Sequence, residues 1–201
     1  MKVIVLPGQK VADAAQPGQG VFIEDNKTYA STLAILRDGR VIPQKGQYKP
    51  LVEDFVVGLV KDVQFNGYHV DVNAPFESFI SNRESLEEFK AGEVVSAKVV
   101  EVNELHEATL SQPRKFPPGT VIEISFVKVP RVIGRNGSML DMIKTATGTE
   151  IFVGKNGRIF LTGGNIKLAI KAIGKIDAEA HTQGLTDAVK EFLEKNKEND
   201  A

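Results

Sequence analysis

The hydrophobic pattern of the chain changes period at Pro117-Pro118-Gly119, and this change limits the possible folds more than any other feature. Before this break, short apolar runs alternate with glycine, proline and asparagine turn residues, a pattern typical of β-strands. After it, apolar residues recur at helical spacing over 139–146 and again over 166–180. The sequence therefore predicts a multi-domain protein that is mostly β at first and α+β at its end.

The β part divides into two predicted domains. Residues 1–52 contain short apolar runs separated by turns, which predicts a small N-terminal β domain. Residues 53–113 contain five strand patterns, with a short polar helix predicted over 83–89 between the third and the fourth. The predicted strands are 54–63, 68–72, 76–80, 93–102 and 109–111. This order predicts a five-stranded barrel of the OB-fold type.

Residues 114–201 form the third predicted domain. An alternating strand over 121–129 is followed by a broken helix and by a second helix that ends at Gly148. Two strands then flank an Asn-Gly turn at 154–157, and two helices separated by Gly184 complete the chain. The predicted order is strand, broken helix, helix, strand, strand, helix.

The charge of the chain is distributed very unevenly. In total, 25 basic side chains nearly balance 26 acidic ones. Residues 53–113 contain 4 basic and 12 acidic side chains (net −8), whereas 114–175 contain 11 and 3 (net +8). Residues 1–52 have a net charge of +3 and residues 177–201 one of −4. A polyanion would therefore meet its most favourable surface in the third domain.

Several classes of protein are excluded or disfavoured. The chain has no cysteine, which excludes disulfides, thiolate catalysis and cysteine-ligated zinc. No apolar run reaches the length of a membrane span, and the apolar start is too short for a secretory signal, so we expect a cytoplasmic protein. Glu84, Glu87, Glu88 and the three histidines show no metal-ligand spacing, so we expect no metal, no cofactor and no catalysis. A metal-dependent nuclease that uses these carboxylates remains an alternative.

The strongest motif is Gly134-Arg135-Asn136-Gly137, which precedes a predicted amphipathic helix. Glycines at both ends let the backbone approach phosphates, and the helix start supplies free N–H groups. The motif is typical of a KH-type clamp on single-stranded nucleic acid. The second Gly-x-x-Gly, at 154–157, lies between strands and is interpreted as a turn. The candidate RNA-binding residues of this domain are Arg131, Gly134, Arg135, Asn136, Gly137, Ser138 and Lys144.

Residues 132–139, Val-Ile-Gly-Arg-Asn-Gly-Ser-Met, resemble a KH domain of type I, and 54–111 resemble an S1 domain. The S1 likeness rests on Gly58-Leu59-Val60-Lys61-Asp62-Val63 followed by Asn66-Gly67-Tyr68-His69. An N-terminal β domain, an S1 domain and a KH domain together are similar to the RNA-binding cap subunits of the archaeal and eukaryotic exosome. The other S1-bearing cap protein carries a cysteine-ligated zinc ribbon, which this chain cannot form.

The resemblance implies a function. Three such subunits would sit on a ring of RNase PH-like subunits and guide RNA to a pore for 3′-to-5′ degradation. It also implies that RNA bases meet the barrel at Asn66 and His69, where the family has two stacking aromatic residues, and at Phe79, where the family often has a histidine. His69 and Phe79 can stack, whereas Asn66 departs from the aromatic pattern. Because Tyr68 alternates with Val70 and Val72, we expect it to point into the barrel core. Because the family positions near the last turn hold Asn103 and Glu107 here, we expect this acidic barrel to hold RNA loosely or only to line a pore. A free-standing S1/KH factor in ribosome assembly or translation is the alternative.

Overall fold

The computed structural model describes residues 2–37, 39–43, 46–85, 87–180 and 184–197 of the 201. Six short strands form the N-terminal β unit: β1 (Lys2–Val5), β2 (Lys10–Ala12), β3 (Val21–Glu24), β4 (Lys27–Ala30), β5 (Ala34–Arg37) and β6 (Arg40–Pro43). They pair as two antiparallel sheets with the strand orders β1-β5-β6 and β2-β4-β3. A small core around Val5, Ala30 and Ala34 joins the two sheets.

Five further strands form a closed barrel: β7 (Phe55–Gln64), β8 (Gly67–Asp71), β9 (Ser78–Ser81), β10 (Val94–Val102) and β11 (Ala108–Lys115). The order around the barrel is β10-β11-β9-β8-β7, and β7 closes it by pairing with β10. Only β9 and β11 pair in parallel among these strands. Tyr68 is buried in the barrel core with its ring 5.1 Å from that of Phe89. The predicted OB-type barrel and the inward direction of Tyr68 are thus confirmed.

The short helix predicted over 83–89 is wrong. Residues 83–85 and 87–89 form turns and irregular chain, and residue 86 lies outside the described part. The Ser85 hydroxyl donates to the Glu87 carbonyl and accepts from the Glu87 N–H, so it replaces helical hydrogen bonds locally. Burial of Phe89 against Tyr68 then draws the segment over the end of the barrel.

The third unit has the strands and helices of a KH domain: β12 (Thr120–Glu123), α1 (Val129–Ile133), α2 (Ser138–Thr147), β13 (Glu150–Val153), β14 (Arg158–Thr162), α3 (Ile166–Glu179) and α4 (Leu185–Lys197). The antiparallel sheet has the order β12-β14-β13. The helices cover one face of this sheet around a core that includes Ile143, Ile159 and Ile173. This arrangement confirms the predicted type I order.

The strand predicted over 121–129 ends earlier, at Glu123. A 3-10 turn at Phe126–Lys128 follows, and Pro130 stands in the first turn of α1, where its missing N–H is not needed. The Phe126 ring packs against Tyr48 of the barrel core, with 6.1 Å between ring centroids. Contact with the neighbouring barrel therefore overrides the alternating pattern. No described helix is both long and apolar enough to cross a membrane.

Candidate nucleic-acid interface

The loop between α1 and α2, residues 134–137, has the backbone of an anion clamp, and we call it the clamp loop. Gly134 (φ 76°) and Gly137 (φ 83°) both lie at positive φ. A Cβ on Gly134 would come within 2.7 Å of the Met139 N atom, so only glycine fits there. Asn136 also lies in the left-handed region, at φ 53° and ψ 30°. The loop therefore leads directly into α2, whose first turn has no side-chain cap on its N–H groups.

The charges around the clamp loop are mostly positive. Arg131 and Arg135 are exposed on either side of Gly134, and Lys144 is half-buried further along α2. Asp141, in the first turn of α2, is the opposing charge, with its Oδ2 atom 3.5 Å from the Cβ position of Gly137. Because arginine presents several donors in a fixed fork, two arginines at the loop favour a phosphate group despite this carboxylate. The predicted KH residues Arg131 and 134–138 thus lie together, whereas Lys144 lies nearly two turns further along α2.

The three barrel residues singled out in the sequence line one surface cavity of about 290 Å³. His69 and Phe79 pair across β8 and β9 with ring centroids 5.4 Å apart, and Asn66 lies at the rim. Gly67 permits this approach, because a Cβ there would lie 2.6 Å from the Phe79 ring. The same cavity contains Glu77 and Glu107.

The acidic side chains give this barrel cavity its electrostatic character. The Glu77 Oε2 atom lies 3.2 Å from the His69 Nδ1 atom, and the Glu107 carboxylate accepts from the Asn103 amide at 2.7 Å. Carboxylates beside stacking rings repel the phosphates of a bound strand. The geometry thus offers base stacking without a strong phosphate contact.

The comparisons with known proteins agree with this architecture. Residues 119–167 match the family model of the KH domain. The chain is 40% identical to the exosome complex component Rrp4 of Thermococcus kodakarensis over 94% of its own length and 84% of that protein. The corresponding protein of Picrophilus torridus is 36% identical over 98% and 94%. The chain belongs to the Rrp4 family of exosome complex components. A crystal structure assigned to an exosome complex RNA-binding protein superposes with a TM-score of 0.71, at 33% identity, over 78% of this chain and all of that one.

In this Rrp4-family chain the turn at 154–157 does more than reverse the strand. The Asn156 side chain is buried in the barrel wall, where it donates to the carbonyls of Val57 (2.7 Å) and Val72 (2.9 Å) and accepts from the Val57 N–H (3.3 Å). The Lys155 N–H donates to the Phe55 carbonyl at 2.8 Å. The β7–β8 pairing begins only at Leu59, so the turn hydrogen-bonds to the part of β7 that β8 leaves unpaired. The predicted turn is present, and it also docks the KH domain on the barrel.

Arg158 strengthens the same junction. Its guanidinium donates to both the carbonyl (2.5 Å) and the carboxylate (2.9 Å) of Asp71 in the barrel, and to Glu123 of the KH sheet (2.8 Å). Burial is the largest single influence and raises the pKa of Asp71. The hydrogen bonds from Arg158 and from the Asn73 N–H, with the positive charges of Arg158 and Lys61, together outweigh it, so the pKa lies below its ordinary value. These hydrogen bonds connect the KH domain, which carries the clamp loop, rigidly to the barrel, which carries the cavity.

Sequence reasoning missed two sets of residues. The first set is Asn156 and Arg158, whose sequence context indicates only a hairpin turn and not a contact between domains. No local pattern reveals a hydrogen bond to a strand about one hundred positions earlier. Phe65 is fully exposed at the tip of the β7–β8 hairpin, directly beside Asn66. An aromatic residue immediately before the Asn66-Gly67 turn was the available signal, since such a residue has no core to enter.

Proposed function

We propose that the chain is a non-catalytic RNA-binding cap of the exosome. It captures single-stranded RNA at the clamp loop, passes it along the barrel, and delivers it to the pore of a ring of RNase PH-like subunits. Those subunits degrade the RNA from the 3′ end. The proposal includes three copies of the chain per complex, a cytoplasmic location, and domains at 1–52, 53–113 and 114–201. Membership of the Rrp4 family supports the assembly.

The observation that carries the RNA-binding part is the clamp loop. Its glycines expose backbone, Arg131 and Arg135 place positive charge beside it, and α2 begins at its end with uncapped N–H groups. The surrounding segment 114–175 has a net charge of +8. These features suit a phosphate backbone, whose binding depends on counterion release, so affinity should fall steeply with salt.

The barrel residues contribute differently in this proposal. The path of the bases is lined by Asn66, His69 and Phe79. The carboxylates of Glu77 and Glu107 in the same cavity repel the phosphates and so weaken their binding there. Phe65 extends this surface at the hairpin tip. A loose hold is suited to a strand that must move on towards a processive enzyme.

The clamp is tested by the double variant Arg135→Asp with Asn136→Asp in the full chain. It places two carboxylates at the loop and changes the net charge by −3, so most single-stranded RNA binding should disappear. The matched control is Lys171→Asp with Ala178→Asp, which makes the same change of charge on the exposed surface of α3. Fluorescence anisotropy with labelled RNA measures both. Equal affinities of the two variants would remove the clamp from the proposal.

Two further experiments separate the remaining functions. Co-purification with RNase PH-like subunits distinguishes a cap from a free-standing factor in ribosome assembly or translation, which the relatives' names do not favour. Incubation of the purified chain alone with RNA, in magnesium or manganese and then with phosphate, tests catalysis. The proposal requires intact RNA in every case, and cleavage that a chelator abolishes would contradict it.

A further inference from the structure

Three phenylalanines lie together on the face of the KH sheet that the helices leave open, and we call them the aromatic shelf. Phe152 and Phe160 are register partners on β13 and β14. Phe116 stacks on Phe160 with a centroid distance of 4.1 Å and an angle of 16°, and meets Phe152 edge-on at 5.3 Å. Their neighbours Ile151, Ile159 and Leu161 belong to the core on the helix side. The shelf is therefore separate from the core that holds the domain together.

The shelf borders a groove of about 710 Å³ that reaches the C-terminal end of α2. Phe116 and Phe152 are half-buried, so part of each ring remains accessible, whereas Phe160 is 3% exposed and supports Phe116 from within the shelf. The other lining residues are mostly polar: Lys144, Thr145, Thr149, Glu150 and Thr162. An apolar wall with a few polar groups around it is the usual composition of a site for a flat organic ligand.

A buried hydroxyl gives a second, independent sign of a ligand. The Oγ1 atom of Thr149, a residue only 2% exposed, has no hydrogen-bond partner among the described residues. Buried polar groups without partners are rare and unfavourable, and Thr149 is one of the residues that line the groove.

The position of the shelf relative to the clamp loop indicates the ligand. The clamp loop lies at the start of α2 and the shelf groove at its end, and a ten-residue helix is about 15 Å long. Lys144 lies between them and lines the groove, within the segment of net charge +8. Glu150 disfavours phosphate at the far rim, so phosphates would keep to the Lys144 side and bases to the aromatic side.

We propose that the aromatic shelf is a second nucleotide subsite of the KH domain, which stacks the bases of an RNA strand whose neighbouring nucleotides occupy the clamp loop. This inference rests on the proposed RNA-binding function. Stacking tolerates any base, because every base has a π-face, so the subsite adds affinity and length preference without sequence preference.

The test compares two RNAs on the full chain. An RNA of about four nucleotides fills a KH clamp alone, whereas one of about ten also reaches the shelf. Phe152→Leu keeps the position apolar and removes the ring, so it should weaken binding of the longer RNA about fivefold or more and leave binding of the shorter one unchanged. Thr149→Val, which removes the hydroxyl alone, should also weaken only the longer RNA. Phe22→Leu, an exposed phenylalanine of the N-terminal unit, is the matched control and should change neither.

The outcomes distinguish the shelf from the clamp. Unchanged affinity of Phe152→Leu for the longer RNA, with a melting curve like that of the wild type, would overturn the shelf while the clamp stands. If Phe152→Leu retains RNA binding but no longer binds RNase PH-like subunits, the proposal is also overturned, because the shelf would then be a protein contact. If the clamp double variant binds both RNAs normally, the clamp fails, and the Phe152→Leu comparison still decides the shelf. A wild-type chain that binds neither RNA would overturn both proposals.

Discussion

Replacement of Asn156 by alanine should loosen the KH domain from the barrel. The side chain is 1% exposed and makes three hydrogen bonds to barrel backbone, two of them shorter than 3 Å. Alanine leaves the N–H and carbonyl of Val57 and the carbonyl of Val72 buried without these partners. A buried group left unpaired costs about 1 to 3 kcal/mol, and the bond to the N–H is long and weak. We therefore expect the free energy of unfolding to fall by about 2 to 5 kcal/mol.

Two spectroscopic probes follow the two domains separately during urea unfolding. The chain has no tryptophan, and Tyr48 and Tyr68 both lie in the barrel core, so tyrosine fluorescence follows mainly the barrel. Circular dichroism follows the helices, and all the helices in the described part of the chain lie in the KH domain. In the wild type the two transitions should coincide, and in Asn156→Ala they should occur at lower urea and separate.

The control for this variant is Lys155→Ala. Lys155 occupies the same turn, but its contact with Phe55 uses the backbone N–H, which alanine retains. Its exposed side chain should matter little to stability. A free energy of unfolding for Asn156→Ala within about 0.5 kcal/mol of the Lys155→Ala value, with coincident transitions, would refute the role of the amide.

Three further predictions concern stability. Gly67→Ala should destabilise the barrel by about 1 to 3 kcal/mol in denaturant titrations, because its Cβ would lie 2.1 Å from the Ile80 carbonyl oxygen; a value near zero would contradict this geometry. Gly174→Ala, in an exposed position of α3 with open space around it, should raise the free energy of unfolding by about 0.5 to 1 kcal/mol, and a lower value would show a contact at that position. Since the pKa of Asp71 is below its ordinary value, its ionised form stabilises the fold above about pH 4, and this contribution is lost as the pH falls through the folded-state pKa. In thermal melts, the melting temperature of the wild type should therefore exceed that of Asp71→Asn by an amount that decreases on acidification. A difference in melting temperature that stays constant with pH would contradict the pairing with Arg158.

Much of the fold was accessible from local patterns. The strict alternation around Tyr68 and the turn at Gly67 define the barrel hairpin, and the helical spacing after Gly137 defines α2. The clamp loop was also accessible, because its glycines, its arginine and the start of the helix are consecutive in the chain. The barrel residues Asn66, His69 and Phe79 came only from the family likeness, and the structure brings them to one cavity.

The missed features all depend on contacts between distant segments. The strand predicted over 121–129 stops early because Phe126 packs on the barrel, and the helix over 83–89 is absent because Phe89 is drawn to Tyr68. The aromatic shelf joins Phe116 to a hairpin more than thirty positions later, through a register that the sequence does not display. Tertiary contacts of this kind override local preference.

The docking of the 154–157 turn on β7 has a consequence for how the chain measures RNA. Because the junction hydrogen bonds connect the KH domain rigidly to the barrel, the two proposed RNA contacts, the clamp loop and the barrel cavity, stand at a fixed separation. A strand held at one contact is already at high effective concentration for the other, without the entropy loss of a flexible linker. An RNA with an unpaired 3′ tail long enough to span both contacts should thus bind more tightly than an RNA that reaches the clamp loop alone.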